Sequence, residues 1–239
     1  MKTPARHPPA QQPAQRPAQH PDVEFLLDYA AGSASDGIAL LVATHVTLCP
    51  DCRGKLKAME AVGGALLDSL APAAVDADAR ARCFARLDQP GDGGTAESRP
   101  AVTAVTPAPS RDGRLPRALR DRLGTDLGSL PWQPVLRGVD QVLLDARPGG
   151  GRTRLMRIRA GQGVPRHTHR GTELVCVLEG GFSDASGHYG RGDVAVSDDS
   201  VDHRPVADAD GDCICLAVTE APVRLTGRLW RLLNPFVRF

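Results

Sequence analysis

Two groups of side chains in this chain have the types and spacing to hold a metal ion. The first lies in residues 161–180, GQGVPRHTHRGTELVCVLEG. On a strand, residues i and i+2 point to the same face, so His167 and His169 project together. Arg170 and Gly171 offer a turn, after which Glu173 swings back toward the same point. Two imidazoles and a carboxylate lack one donor of a four-coordinate divalent site. His203, in DSVDHRPV, is the candidate to complete it. The second group is His45, Cys49 and Cys52, an H-x3-C-x2-C run at the junction of two expected helices. A tetrahedral zinc site needs a fourth ligand there as well, and His20 is the other histidine close enough in sequence to supply it.

The first group reads G-x5-H-x-H-x3-E-x6-G and resembles the first motif of the cupin superfamily of small β-barrels. The second cupin motif, G-x5-P-x-G-x2-H-x3-N, is met only in part. Gly192 and His203 are in register, while Asp198, Ser200 and Ala207 stand at the proline, glycine and asparagine positions. The ligand is kept and the turn residues have drifted.

The elements that must position these groups follow from periodicity. From Val142 onward, short alternating runs are separated by glycines: VLLDA, RTRLMRI, ELVCVLEG, GFSDA, HYGRGDVAVS and DCICLAVT. This is the rhythm of an all-β barrel or sandwich. Trp132 anchors the lead-in, which follows a short amphipathic segment, and the final stretch RLTGRLWRLLNPFVRF is apolar enough to pack back onto the barrel. Upstream, VEFLLDYAAG places Phe25, Leu26 and Tyr29 on one helical stripe with Gly32 as its stop. Ser35 and Asp36 cap a second helix, apolar nearly all round and ending near His45. Pro50 suits the first turn of a third helix running to about Leu70. Cys49 and Cys52 flank its start, where backbone N–H groups and the helix dipole favour thiolate. A fourth helix is expected from Asp76 to Leu87.

Composition divides the chain. Residues 1–19, rich in Pro, Gln and Ala, cannot form a core and read as a disordered tail. Residues 20–88 form a helical zinc-binding domain, 89–113 a Gly/Pro/Ser/Thr linker, and 114–239 the β domain. The expected class is α+β multidomain: a small helical bundle, then an all-β cupin-like barrel. Lys+Arg 29 against Asp+Glu 28 gives a formal charge of +1. That leaves no basic field for direct nucleic-acid binding. No run of about 18 apolar residues marks a membrane span. The polar N-terminus lacks a signal core, so the chain reads as cytoplasmic. In a reducing cytosol the C-x2-C pair is a metal or redox site rather than a structural disulfide, while Cys176, Cys213 and Cys215 read as core residues.

Both motifs, in this order on either side of a linker, resemble the ChrR-type anti-sigma factors. LLDYAAGSAS, LLVATHVTLCPDCRG and AVGGALL are similar to the anti-sigma half, and RHTHRGTELVCVLEGGFSDASGHYGRGD to the sensor half. The resemblance implies that the helical half binds an extracytoplasmic-function (ECF) sigma factor. It implies one zinc on His20, His45, Cys49 and Cys52, and a second metal, zinc or another divalent ion, on His167, His169, Glu173 and His203. It implies release of the sigma factor on oxidative stress from singlet oxygen or organic peroxides. Leu56, Met59, Leu66 and Leu70 of the third helix are either contacts for that partner or bundle core. Oxidation at Cys176, Cys213 and Cys215, or at Cys49 and Cys52, is a possible trigger. The competing class is a cupin metalloenzyme of dioxygenase or isomerase type with an appended zinc domain; a DNA-binding repressor conflicts with the neutral charge.

Overall fold

The computed structural model describes residues 16–87, 115–147 and 151–227. Most of the expected tail, the whole of the expected linker and the apolar stretch from residue 228 lie outside them.

Helix α1 (Val23–Ala31) stops where Gly32 turns left-handed at φ 73°, its N–H returning to the carbonyls of Asp28 and Tyr29. Helix α2 (Asp36–Leu48) starts after Ser35, which stands at the cap position in extended backbone without making a side-chain cap bond. Helix α3 (Pro50–Asp68) has proline in its first turn, and Cys49 Sγ accepts the Cys52 N–H at 3.4 Å. Helix α4 (Ala79–Leu87) starts three residues later than the sequence suggests; Asp76 O accepts the Ala79 N–H at 3.0 Å ahead of it, and Asp76 and Asp78 pair with Arg82. Helix α5 (Arg117–Leu123) is the short amphipathic segment before the barrel.

Eleven strands follow among the described residues. They are β1 (Gln133–Leu136), β2 (Val139–Ala146), β3 (Arg152–Ile158), β4 (His167–Thr168), β5 (Glu173–Glu179) and β6 (Phe182–Asp184). Then come β7 (Gly187–Tyr189), β8 (Val194–Ser197), β9 (Val206–Ala207), β10 (Cys213–Thr219) and β11 (Arg224–Leu225). They pair antiparallel in a six-stranded sheet, β1-β2-β3-β10-β5-β8, a three-stranded sheet, β7-β6-β9, and a two-stranded pair, β11-β4. The strands thus begin at Gln133, ahead of the alternating runs from Val142. Pro134 hides β1 from a periodicity reading, yet an edge strand tolerates proline because one row of its N–H groups needs no partner. Trp132 is an anchor: its Nε1–H donates to Leu127 O, and the Arg157 guanidinium lies 4.6 Å over its ring.

The helices and the large sheet share one apolar core. Leu174, Cys176 and Leu178 of β5 and Ile214, Leu216 and Val218 of β10 cluster with Leu26, Ile38, Leu41 and Val42 of α1 and α2. The alternate residues, Val177 and Cys213 among them, face the interior of the barrel with Val139 and Phe182. A sheet covered on both faces needs apolar residues at every position. This explains why CICLAVT in β10 is buried throughout instead of alternating. The approach is close at the start of α2, where a Cβ on Gly37 would lie 2.3 Å from Thr153 Oγ1 and 3.0 Å from Val218 Cγ1. Among the described residues no single helix is long and apolar enough to cross a membrane; α1 and α2 are apolar enough together but meet at 109°.

Candidate metal centres

Barrel topology delivers the first donor set. His167 and His203 exchange both backbone N–H···O bonds at 3.0 Å, which sets their side chains opposite each other. Glu173 opens β5 on its interior face, opposite Ser197 at the end of β8. His169 follows β4, and its ring centroid lies 5.1 Å from those of both His167 and His203. One donor atom from each of the four residues falls within 4.8 Å of the others, and all four side chains are buried.

The hydrogen bonds around the rings decide what this arrangement can hold. His167 Nδ1 lies 2.8 Å from Pro165 O, His169 Nδ1 3.2 Å from Asp198 O, and His203 Nδ1 2.7 Å from Asp184 Oδ2. Each acceptor claims the Nδ1 proton; for His167 and His203 this leaves the Nε2 lone pair facing inward, while His169 Nε2 meets the Glu173 carboxylate. His167 Nε2 and His203 Nε2 are then 3.2 Å apart, lone pair against lone pair. A cation between them turns that repulsion into ligation. Burial pushes the His167 imidazole down to about 4, so it is neutral and ready to ligate at pH 7. For Glu173, burial opposes the charge, but the His169 hydrogen bond and the neighbouring positive groups prevail and hold the carboxyl near 2. Burial also works against a proton on His169, yet the Glu173 bond at 2.9 Å and its charge raise this pKa above the ordinary value. A metal competes with that proton, so its retention weakens as pH falls.

The second donor set gathers the ends of three helices. His20 precedes α1, His45 lies in the last turn of α2, and Cys49 and Cys52 open α3; their donors fall within 4.8 Å of one another. His20 Nδ1 is 3.4 Å from Cys49 Sγ and 3.5 Å from Cys52 Sγ. A tetrahedron with ordinary zinc–sulfur and zinc–nitrogen bonds has nitrogen–sulfur edges of roughly 3.5 Å. His45 Nδ1 is 2.8 Å from the Gly192 carbonyl, while its Nε2 is buried without a hydrogen-bond partner among the described residues. An orphaned, inward-facing Nε2 beside two thiols and an imidazole is what a zinc ligand looks like without its ion. Burial lowers the His45 pKa despite the Gly192 bond, which keeps that lone pair available.

Cys52 departs from the expectation of a helix-stabilised thiolate. Burial, reinforced by Cys49 alongside, pushes the Cys52 thiol up to about 11. Desolvation outweighs the helix N-terminus here. Zinc uptake at pH 7 should therefore release at least one proton, from Cys52, and affinity should rise about tenfold per pH unit from that proton alone. Calorimetric titrations in two buffers of different ionisation enthalpy would count it; equal apparent enthalpies would mean that the thiol is already ionised.

The two centres are joined through one turn. Gly192 holds φ +93°, and a Cβ there would meet Pro17 Cγ at 2.7 Å. Asp193 Oδ1 accepts the N–H groups of Ala18 at 2.6 Å and Gln19 at 2.9 Å, and the Val194 N–H donates to Gln19 O at 3.1 Å. Residues 17–19, placed by composition in the tail, thus run along the barrel and deliver His20. From this turn β8 leads to Ser197, opposite Glu173, and to Asp198, whose carbonyl holds His169. Asp184, Asp193 and the Gly192 carbonyl left no local signal in the sequence, because each finds its partner only across the fold.

The third helix separates the leucines left open by periodicity. Leu56 is 7% exposed and belongs to the core, and Met59 is half-buried against it. Leu66 and Leu70 are 65% and 66% exposed. Cys176, Cys213 and Cys215 are all buried; burial pushes the Cys176 thiol up to about 12, and the Cys213 hydrogen bond and burial raise that of Cys215.

Comparison with known proteins agrees with this two-part architecture. The family described as ChrR Cupin-like domain matches residues 120–223. The anti-sigma-E factor ChrR of Cereibacter sphaeroides is 41% identical over 215 residues, covering 89% of this chain and 94% of that protein. The crystal structure of Rhodobacter sphaeroides SigE in complex with the anti-sigma ChrR superposes with a TM-score of 0.70 at 37% identity, covering 84% of this chain and 98% of the matched chain. An RmlC-like cupin protein of Ralstonia eutropha overlaps 44% of this chain and 71% of its own, at 25% identity and a TM-score of 0.39. With its paired donor sets, its helices packed on a cupin sheet and this likeness over most of its length, the chain belongs to the ChrR-type anti-sigma factors.

Proposed function

We propose that this protein holds an ECF sigma factor inactive in the cytoplasm through its helical half, and releases it on an oxidative signal, singlet oxygen or organic peroxide, received by the barrel. The observation that carries the binding half is the far end of α3. Val62, Leu66 and Leu67 of α3 and Leu70 just past its end are 62–69% exposed, and Phe84 of α4 is exposed as well. Helical side chains of this kind, uncovered by their own core, are what a groove-seeking partner buries. The related complex supports the reading, because there a sigma factor is bound to an anti-sigma protein similar to this chain.

Zinc on His20, His45, Cys49 and Cys52 would tie the ends of α1, α2 and α3 at one point and hold α3 at a fixed angle. A bundle this small depends on such a tie for much of its folding free energy. A metal on His167, His169, Glu173 and His203 would place the sensing chemistry in the barrel, and β8 with its turn would carry a change there to the zinc ligands. The full-length, metal-loaded chain should form a 1:1 complex with one ECF sigma factor of its own genome and silence that factor's promoter in a purified transcription assay. Absence of a complex with every such factor, metals bound, would sink the reading.

A further inference from the structure

Arg154 is a buried charge that metal binding does not account for. It lies in β3, 2% exposed, with Nη2 3.9 Å from Glu173 Oε1. Its Nε and Nη1 are buried and have no hydrogen-bond partner among the described residues. A guanidinium carries five N–H donors, and one long ion pair leaves most of them unused.

The side chain lines a cavity of about 60 Å³ inside the barrel. Its polar side chains are Arg154, Glu173, His167, His203 and Ser197, and most of the remaining wall is apolar, including Val164 and Phe182. A water takes on the order of 10–15 Å³ by the same measure, so the space suits an apolar group of about four to six carbon atoms.

The guanidinium narrows the ligand further. Arg154 is a buried cation on the cavity wall with Nε and Nη1 unpartnered among the described residues, so the fitting occupant brings an anionic acceptor to those N–H groups. A carboxylate, planar and with two acceptor oxygens, matches a guanidinium, and the apolar wall beyond it suits an alkyl chain.

We propose that the barrel cavity binds a short-chain monocarboxylate, its carboxylate on Arg154 beside the metal donors and its alkyl chain along the apolar wall. This deepens the reading of the barrel as the sensing half by naming the class of small molecule that enters it. Because binding is measured on the protein alone, its failure is distinct from failure of the sigma-factor reading.

The test is calorimetric titration of the full-length, zinc-loaded chain with acetate, butyrate, hexanoate and decanoate, and with hexanol as the uncharged counterpart of hexanoate. Affinity should rise about fourfold per methylene up to hexanoate, from the ordinary transfer free energy of a buried CH2, and fall by decanoate as the space runs out. Hexanol should bind at least tenfold more weakly than hexanoate. Arg154→Met should lose hexanoate binding, and Val175→Phe, which fills the cavity and leaves the guanidinium in place, should lose it too. Hexanoate binding that survives both variants, or hexanol binding equal to hexanoate, overturns the proposal. So does a wild-type protein that takes up none of the four carboxylates, whatever the folding of the variants.

Discussion

Replacing Leu66, Leu67 and Leu70 together with aspartate should lower affinity for the sigma factor at least ~100-fold while both metals stay bound. All three leucines are well exposed, so the free protein loses little by the change; surface substitutions of this kind usually shift stability by no more than about 0.5 kcal/mol. Carboxylates at Leu66 and Leu67, in the last turn of α3, and at Leu70 just beyond it oppose the helix dipole, a further few tenths of a kcal/mol each. Against a partner the balance differs. Each leucine buried there contributes about 1.5–3 kcal/mol, and an aspartate in its place brings a charge that must be desolvated. Even if half of that is lost to side-chain ordering, about 3 kcal/mol remains, which is a factor of ~100. Leu56→Ala gives the contrast. Leu56 is in the core, so this variant should destabilise the bundle itself by about 2–5 kcal/mol and weaken the complex only through that loss. Affinity by calorimetry and stability by denaturant titration separate the two. A triple variant that binds like wild type would move the sigma-factor surface elsewhere on the chain.

The contrast between these leucines also marks what the sequence could and could not reveal. The H-x-H-x3-E and H-x3-C-x2-C runs are legible because backbone geometry fixes which way neighbours point, and the structure brings His203 and His20 to them. Helix stops at Gly32 and starts at Pro50 are equally local. Periodicity identifies which face of α3 is apolar but not which part of that face its own fold covers; Leu56 and Leu66 look alike until the bundle is assembled. The same limit hid the packing of helices on the sheet, which a linker-separated reading keeps apart. The unbroken apolar run in β10 was its trace, since a sheet with one wet face would alternate. Arg154 gave no trace, because a charged residue in an alternating strand reads as solvent-facing until the sheet closes over it.

Asp193→Ala should weaken zinc binding at the helical site by about 10–100-fold, although Asp193 belongs to the barrel and supplies no ligand. Its Oδ1 holds the N–H groups of Ala18 and Gln19, which fix the approach of His20, and its Oδ2 accepts the Gly190 N–H, which closes the turn presenting the Gly192 carbonyl to His45. Alanine leaves three donors without this acceptor and frees the positions of both histidine ligands at once. Loss of groups that orient metal ligands carries a penalty of this size. Competition with a chromophoric zinc chelator measures it; if β8 and its turn couple the centres, the barrel metal should weaken as well. Asp184→Asn is the mirror experiment: it disturbs the Nδ1 partner of His203 and should weaken the barrel metal by a similar factor. If β8 and its turn couple the centres, Asp184→Asn should also lower zinc affinity at the helical site, by the 5–150-fold typical of coupled sites, because linkage is reciprocal. Zinc binding at wild-type strength in both variants would make the two halves mechanically independent. A signal from the barrel would then have to reach the helices by another route, such as the apolar core that α1 and α2 share with β5 and β10.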